Sequence, residues 1–156
     1  MRILGIDPGF ERLGIAILEK TGNKEQLLFS ECFKTSSKLG FSERLEFIGE
    51  EIRKILKRYK PEILAIETLF LNTNQKTAMR VAEARGVVLY ECRKAGLKTF
   101  EASPPQIKTA VTGYGRASKE QIIKMVRILI KLAKAKTSDD ELDAIAVALT
   151  ALAWMK

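Results

Sequence analysis

The chain of 156 residues has no histidine, two cysteines, four prolines and one tryptophan. Without histidine, any acid–base or metal chemistry falls to carboxylates, lysines and hydroxyls. Cys32 and Cys92 are too few for a disulfide framework or a zinc site, and read as small buried hydrophobes. No run approaches the ~18 consecutive apolar residues of a membrane span. No basic-then-apolar signal segment opens the chain, so a cytoplasmic protein with no membrane partner is expected. Ten glycines and four prolines in an ordinary globular mixture, 46% hydrophobic and 29% charged, exclude disordered, collagen-like and low-complexity classes. The length suits one domain spanning residues 1–156. Acid is the scarcer charge, 19 Asp and Glu against 27 Lys and Arg. The resulting net charge of +8 points to a polyanionic partner, although a basic protein without one would carry the same number.

Apolar runs bounded by turn formers predict strands over Arg2–Asp7, Leu13–Leu18 and Glu25–Lys34. Helical spacing of Leu45, Ile48, Ile52, Ile55 and Leu56 predicts a helix over Glu43–Tyr59, stopped by Pro61. Ile63–Glu67 reads as a central strand, Thr77–Lys94 as a helix with Ala78, Val81, Ala82, Leu89 and Cys92 on one stripe, and Leu97–Ala102 as a fifth strand. Helices follow near Gln106–Val111, from Lys119 to about Leu132, and from Asp139 to the end. The last two open on capping-box spacings, Ser118 with Gln121 and Ser138 with Glu141. This order predicts an α/β fold whose five-stranded mixed sheet begins as an antiparallel meander and is flanked by helices.

Four acids sit awkwardly for a purely structural account. Asp7 and Glu67 each end an apolar strand; Asp7 is also acceptable as a turn residue before Pro8-Gly9. Asp140 lies in the first turn of the last helix, where a carboxylate complements the helix dipole, as would Asp139. Asp143 follows three residues later on the same face, ahead of the apolar Ala144–Leu149, where an unpaired carboxylate is costly. Strand ends and a helix start can converge. Carboxylates gathered there repel unless a cation neutralises them, and hard oxygen donors select Mg²⁺ or Mn²⁺. Two such ions ~3.5–4 Å apart suit phosphodiester hydrolysis, acidifying a water and neutralising the leaving oxygen. A basic chain around such a pocket fits a metal-dependent nuclease.

Asp7-Pro8-Gly9 with Gly14, Ala65-Ile66-Glu67-Thr68-Leu69-Phe70, Ala84-Arg85-Gly86, Gln106-Ile107-Lys108, Gly113-Tyr114-Gly115, Lys119 and Asp140-Glu141-Leu142-Asp143 occur in order along residues 2 to 153. This ordered set resembles the RuvC-type Holliday junction resolvases. The resemblance implies a ribonuclease H-like fold and a homodimer that nicks four-way junction DNA symmetrically in recombination and repair. It makes Asp7, Glu67, Asp140 and Asp143 the catalytic and Mg²⁺-binding acids, with two ions per site and Mn²⁺ able to substitute. Lys108 and Lys119 would lie near the scissile phosphate, and Phe70 would stack on a base at the opened crossover. Nicks would carry 5′-phosphate and 3′-hydroxyl ends. A branch-migration helicase complex is a partner the sequence leaves open. Phe10 departs from the small polar residue expected after the turn, and Asp140 stands where some relatives have histidine. Two other functions are kept beside this one: a nuclease of the same fold acting on RNA/DNA hybrids, and a junction-shape-binding module without catalysis, which four intact acids disfavour.

Overall fold

The computed structural model describes residues 1–69, 75–132 and 136–155. The elements are β1 (Arg2–Asp7), β2 (Arg12–Thr21), β3 (Lys24–Lys34), α1 (Phe41–Tyr59), β4 (Ile63–Glu67), α2 (Gln75–Lys94), β5 (Lys98–Ala102), α3 (Pro104–Thr112), α4 (Lys119–Leu129) and α5 (Asp139–Trp154). The sheet order is β3-β2-β1-β4-β5, antiparallel across the first three strands and parallel from β1 through β4 to β5. The ribonuclease H-like α/β expectation is borne out.

Alternation along the strands divides the core into two layers. Leu4, Ile6, Ile15, Ile17, Leu64 and Ile66 face α1 and α2. Ile3, Ala16, Leu18, Ile63 and Ala65 face the opposite way, against α3, α4 and α5. Fully burying each such Ile or Leu is worth about 1.5–3 kcal/mol, so the strands are fixed in register by the side they bury. The α5 side is lined by small residues. Ala65, Gly5, Ala16 and Ser30 form one row across β4, β1, β2 and β3. A Cβ on Gly5 would stand 2.2 Å from the Ala144 carbonyl oxygen and 2.8 Å from the Ala148 Cβ, so α5 lies directly on the strands.

Five expectations need correction. The second strand runs on from Leu18 to Thr21, because Glu19, Lys20 and Thr21 pair with Gln26, Glu25 and Lys24 across a Gly22-Asn23 turn. The Gly22 φ of 59° supplies the left-handed conformation there. The third helix starts at Pro104, not Gln106, because the Ser103 amide donates to Gln106 Oε1 at 2.8 Å and closes a cap. Helix α4 stops at Leu129: Ile130 is extended and fully buried, so the chain leaves the helix to fill the core. The buried face of α2 carries Ala84, Val88 and Cys92, whereas Ala82 and Gly86 face outward. Cys92 is buried as expected, but Cys32 is only partly so and belongs to the acidic site described next.

Candidate active site

The pairing that forms the sheet also gathers the acids. Ile6 pairs with Ile66, so Asp7 and Glu67 end adjacent parallel strands one residue beyond that rung. Each is two residues past a position on the α5 face of the sheet, Gly5 and Ala65 respectively, and therefore shares that face. Helix α5 supplies the other pair. Its start is fixed by Ser138, whose hydroxyl accepts from the Glu141 amide at 3.3 Å while Glu141 Oε2 accepts from the Ser138 amide at 3.0 Å. Glu141 Oε1 also accepts from the Ser30 hydroxyl at 2.8 Å, tying the cap to β3. Asp140 and Asp143 are thereby held over the strand ends. Gly14 permits the approach: its Cβ would meet the Asp140 carbonyl oxygen at 2.1 Å and the Asp7 Cβ at 3.0 Å. Glu141→Ala removes the cap and its tether together. It is expected to cost about 1–3 kcal/mol, read as a lowered urea midpoint at unchanged m-value.

The electrostatics follow from this crowding. Burial first, then the charges of Asp143, Glu67 and Asp140, push the Asp7 pKa from 3.8 up to about 8, with Lys119 opposing. Glu67 is raised by burial and by Asp143. Asp143 is raised by burial, against the lowering effect of Lys119. Burial pulls Lys119 down, but Asp143 and Asp139 outweigh it and hold its ammonium above the ordinary value. Lys119 Nζ lies 3.2 Å from Asp143 Oδ2 and 3.6 Å from Asp139 Oδ2. Arg12 takes Asp140, with Nη2 at 2.5 Å and Nε at 2.9 Å from Oδ2, and the Cys32 thiol donates to the same oxygen at 3.5 Å.

Two hollows meet at Glu67. One of about 270 Å³ is bounded by Asp7, Pro8, Glu67 and Thr68; the other, about 170 Å³, by Glu67, Lys108, Lys119 and Asp143. A larger cavity of about 600 Å³ lies away from the acids, between α1 and α2 beside Gly49, Gly86 and Tyr90. The structure thus brings Asp7, Glu67, Asp140, Asp143 and Lys119 together, with Lys108 in the same lining; Phe70 lies outside the described residues. As placed, no trio of Asp, Glu or Cys among the described residues is gathered tightly enough to share one ion. Oxygens of Asp140 and Asp143 are instead taken by Arg12 and Lys119. The donor chemistry still fits a hard divalent cation. Asp7 is a partly buried carboxylate that forms no ion pair among the described residues and is surrounded by like charge, and every acidic donor is oxygen.

Sequence reasoning missed Arg12 and Ser30, read Glu141 as a cap without its tether to β3, and read Cys32 as core. The hairpin register carried a signal for Cys32, since Asp7 pairs with Gly14 and Gly14 with Cys32. Phe10 is explained by packing: its ring meets Phe41 edge-on at 5.7 Å, and Arg80 lies over both rings. Among the described residues no helix is long and apolar enough to cross a membrane.

The family model for crossover junction endodeoxyribonuclease RuvC matches residues 3–151. A protein of that name from Thermosipho melanesiensis is 45% identical over 148 residues, covering 95% of this chain and 94% of its own. One from Finegoldia magna is 45% identical over 96% of this chain and 91% of its own. The solved structure of Thermus thermophilus RuvC with a Holliday junction substrate superposes with a TM-score of 0.92 at 35% identity, covering 99% of this chain and 94% of that one. Matching over nearly its whole length in sequence and in structure, the chain belongs to the RuvC family of crossover junction endodeoxyribonucleases.

Proposed function

We propose that this chain resolves Holliday junctions by hydrolysing one phosphodiester in each of two opposed strands, leaving 5′-phosphate and 3′-hydroxyl ends. The observation that carries this reading is the set of four carboxylates on strand ends and a helix start, bordered by Lys108 and Lys119 in a net basic chain. Asp7, Glu67, Asp140 and Asp143 would hold Mg²⁺, two ions per site, with Mn²⁺ as a substitute. Bound there, the cation would polarise the phosphoryl oxygen and acidify the attacking water. Lys119, already within hydrogen-bond reach of Asp143, supplies positive charge where the phosphate develops negative charge, and Lys108 lines the same hollow to do likewise. Phe70 would stack on an unpaired base at the crossover.

The test is cleavage of an end-labelled synthetic four-way junction, in Mg²⁺ or EDTA, beside a linear duplex of the same sequence. Paired, ligatable nicks confined to the junction and to Mg²⁺ support the reading. Equal cutting of duplex overturns the substrate, and binding without nicking in Mg²⁺ or Mn²⁺ overturns the enzyme.

Symmetric nicking needs two copies, and we propose a homodimer through the outer face of α2. Gly86 has no heavy atom within 4 Å of where its Cβ would stand, and Met79 and Tyr90 beside it are each 62% exposed. A mid-helix glycine costs about 0.5–1 kcal/mol relative to alanine, and among the described residues no close packing at Gly86 offsets that. Gly86→Arg is therefore expected to keep the fold and melting temperature but run as a monomer in light scattering, with paired nicking lost. A Gly86→Arg dimer of normal activity would exclude this face.

A further inference from the structure

Asp140 is held by a cation that the proposed reaction does not use. Both Nε and Nη2 of Arg12 converge on Asp140 Oδ2, leaving Arg12 no other ion-pair partner among the described residues. Its neighbour Glu11 pairs with Arg44 instead, at 3.7 Å. Arg12 opens β2 at the sheet end where Asp7 and Glu67 finish, so it stands on the rim of the acidic site. The Arg12 side chain is 52% exposed, whereas that of Asp140 is 21% exposed. An ion pair as open as this biases an equilibrium by about fivefold at most. A divalent cation shared with further carboxylates displaces such a partner readily. The guanidinium set free is a planar fork suited to two oxygens of one phosphate.

We propose that Arg12 is an exchangeable counter-ion: it holds Asp140 while no divalent cation is bound and, once displaced, becomes a backbone-phosphate ligand for the junction. The proposal rests on the reading that Asp140 is a metal ligand. Its consequence is thermodynamic. A metal that releases a phosphate-binding group must strengthen DNA binding, and DNA must strengthen metal binding by the same factor.

The experiment is a cycle of binding measurements on wild type, Arg12→Ala and Arg12→Lys, none of which reads catalysis. Mn²⁺ binding without DNA is followed by calorimetry. Junction binding is followed by fluorescence anisotropy in EDTA and in Ca²⁺, with the recovered DNA checked for nicks. Without the competing guanidinium, Arg12→Ala is expected to bind Mn²⁺ up to about fivefold more tightly. The increase in junction affinity between EDTA and Ca²⁺ shown by wild type should shrink in Arg12→Ala and return in part in Arg12→Lys. Unchanged or weaker Mn²⁺ binding by Arg12→Ala overturns the proposal, because Arg12 then only orients Asp140. An undiminished Ca²⁺ gain overturns its second half. If no protein in the set binds Mn²⁺, the metal reading of the carboxylates falls, and the proposal with it.

Discussion

Asp7→Asn is expected to reduce junction cleavage by about a hundredfold to a thousandfold while leaving junction binding intact or tighter. The loss is large because Asp7 is central to the acidic cluster that would hold the cation, and losing one contact that neutralises transition-state charge costs about 10²–10³. Binding is spared because the substitution deletes a negative charge from a surface that must accept phosphates. The same change alters stability in the opposite sense. A carboxyl whose pKa rises on folding stabilises the protein fully below its unfolded value, near 3.8 for Asp7, and that contribution is lost as pH rises through about 8. Asparagine cannot ionise, so the metal-free variant should melt above wild type at pH 8.5 and match it near pH 4. The gap at high pH is on the order of a few kcal/mol, each unit of pKa shift being worth about 1.4. Saturating Mg²⁺ should narrow it by neutralising Asp7 in the wild type. Normal cleavage by Asp7→Asn, or melting curves in EDTA that superpose at pH 8.5, would remove Asp7 from the site.

Gly14→Ala is expected to damage the site more than the fold. Its new methyl would need the space of the Asp140 carbonyl oxygen, 2.1 Å away, which is backbone and has no rotamer to escape by. Either β2 or the start of α5 must shift, a strain of about 1–3 kcal/mol. Misplacing reacting groups by about 1 Å costs about a hundredfold in rate. Gly5→Ala is the control, because it meets backbone just as closely, 2.2 Å from the Ala144 oxygen, but one turn further along α5. Urea melts should give comparable destabilisation for both variants, with cleavage at a permissive temperature reduced about a hundredfold by Gly14→Ala and less by Gly5→Ala. Equal rate losses would mean that Gly14 acts through stability alone.

Strands β1, β2 and β4 were legible because they bury both sides over most of their length, which leaves a continuous apolar signature bounded by turn formers. Asp7, Glu67 and Asp143 stood out because they interrupt those signatures. Asp140 was separated from Asp139 by its three-residue spacing to Asp143; in the structure Asp140 meets Arg12 and Cys32, whereas Asp139 is mostly exposed. What was hidden depends on register. Arg12 and Asp140 are 128 residues apart and Ser30 and Glu141 are 111 apart, and no local pattern reports such contacts. The outward face of α2 was misread because alanine carries little burial signal of its own. Cys32 was misread because a cysteine on a strand reads as core unless its partner across the sheet is known.

Helix α5 lies on Gly5 and Gly14 with no side chain between, so its acids have no cushion of rotamers to absorb a displacement. The arrangement behaves as a rigid bearing. Translating the helix would drive backbone into backbone, whereas the carboxylate side chains of Asp140 and Asp143 can rotate without moving it. Activity and fold should in consequence disappear at one temperature, because the contact that positions the acids is the same backbone packing that holds α5 on the sheet.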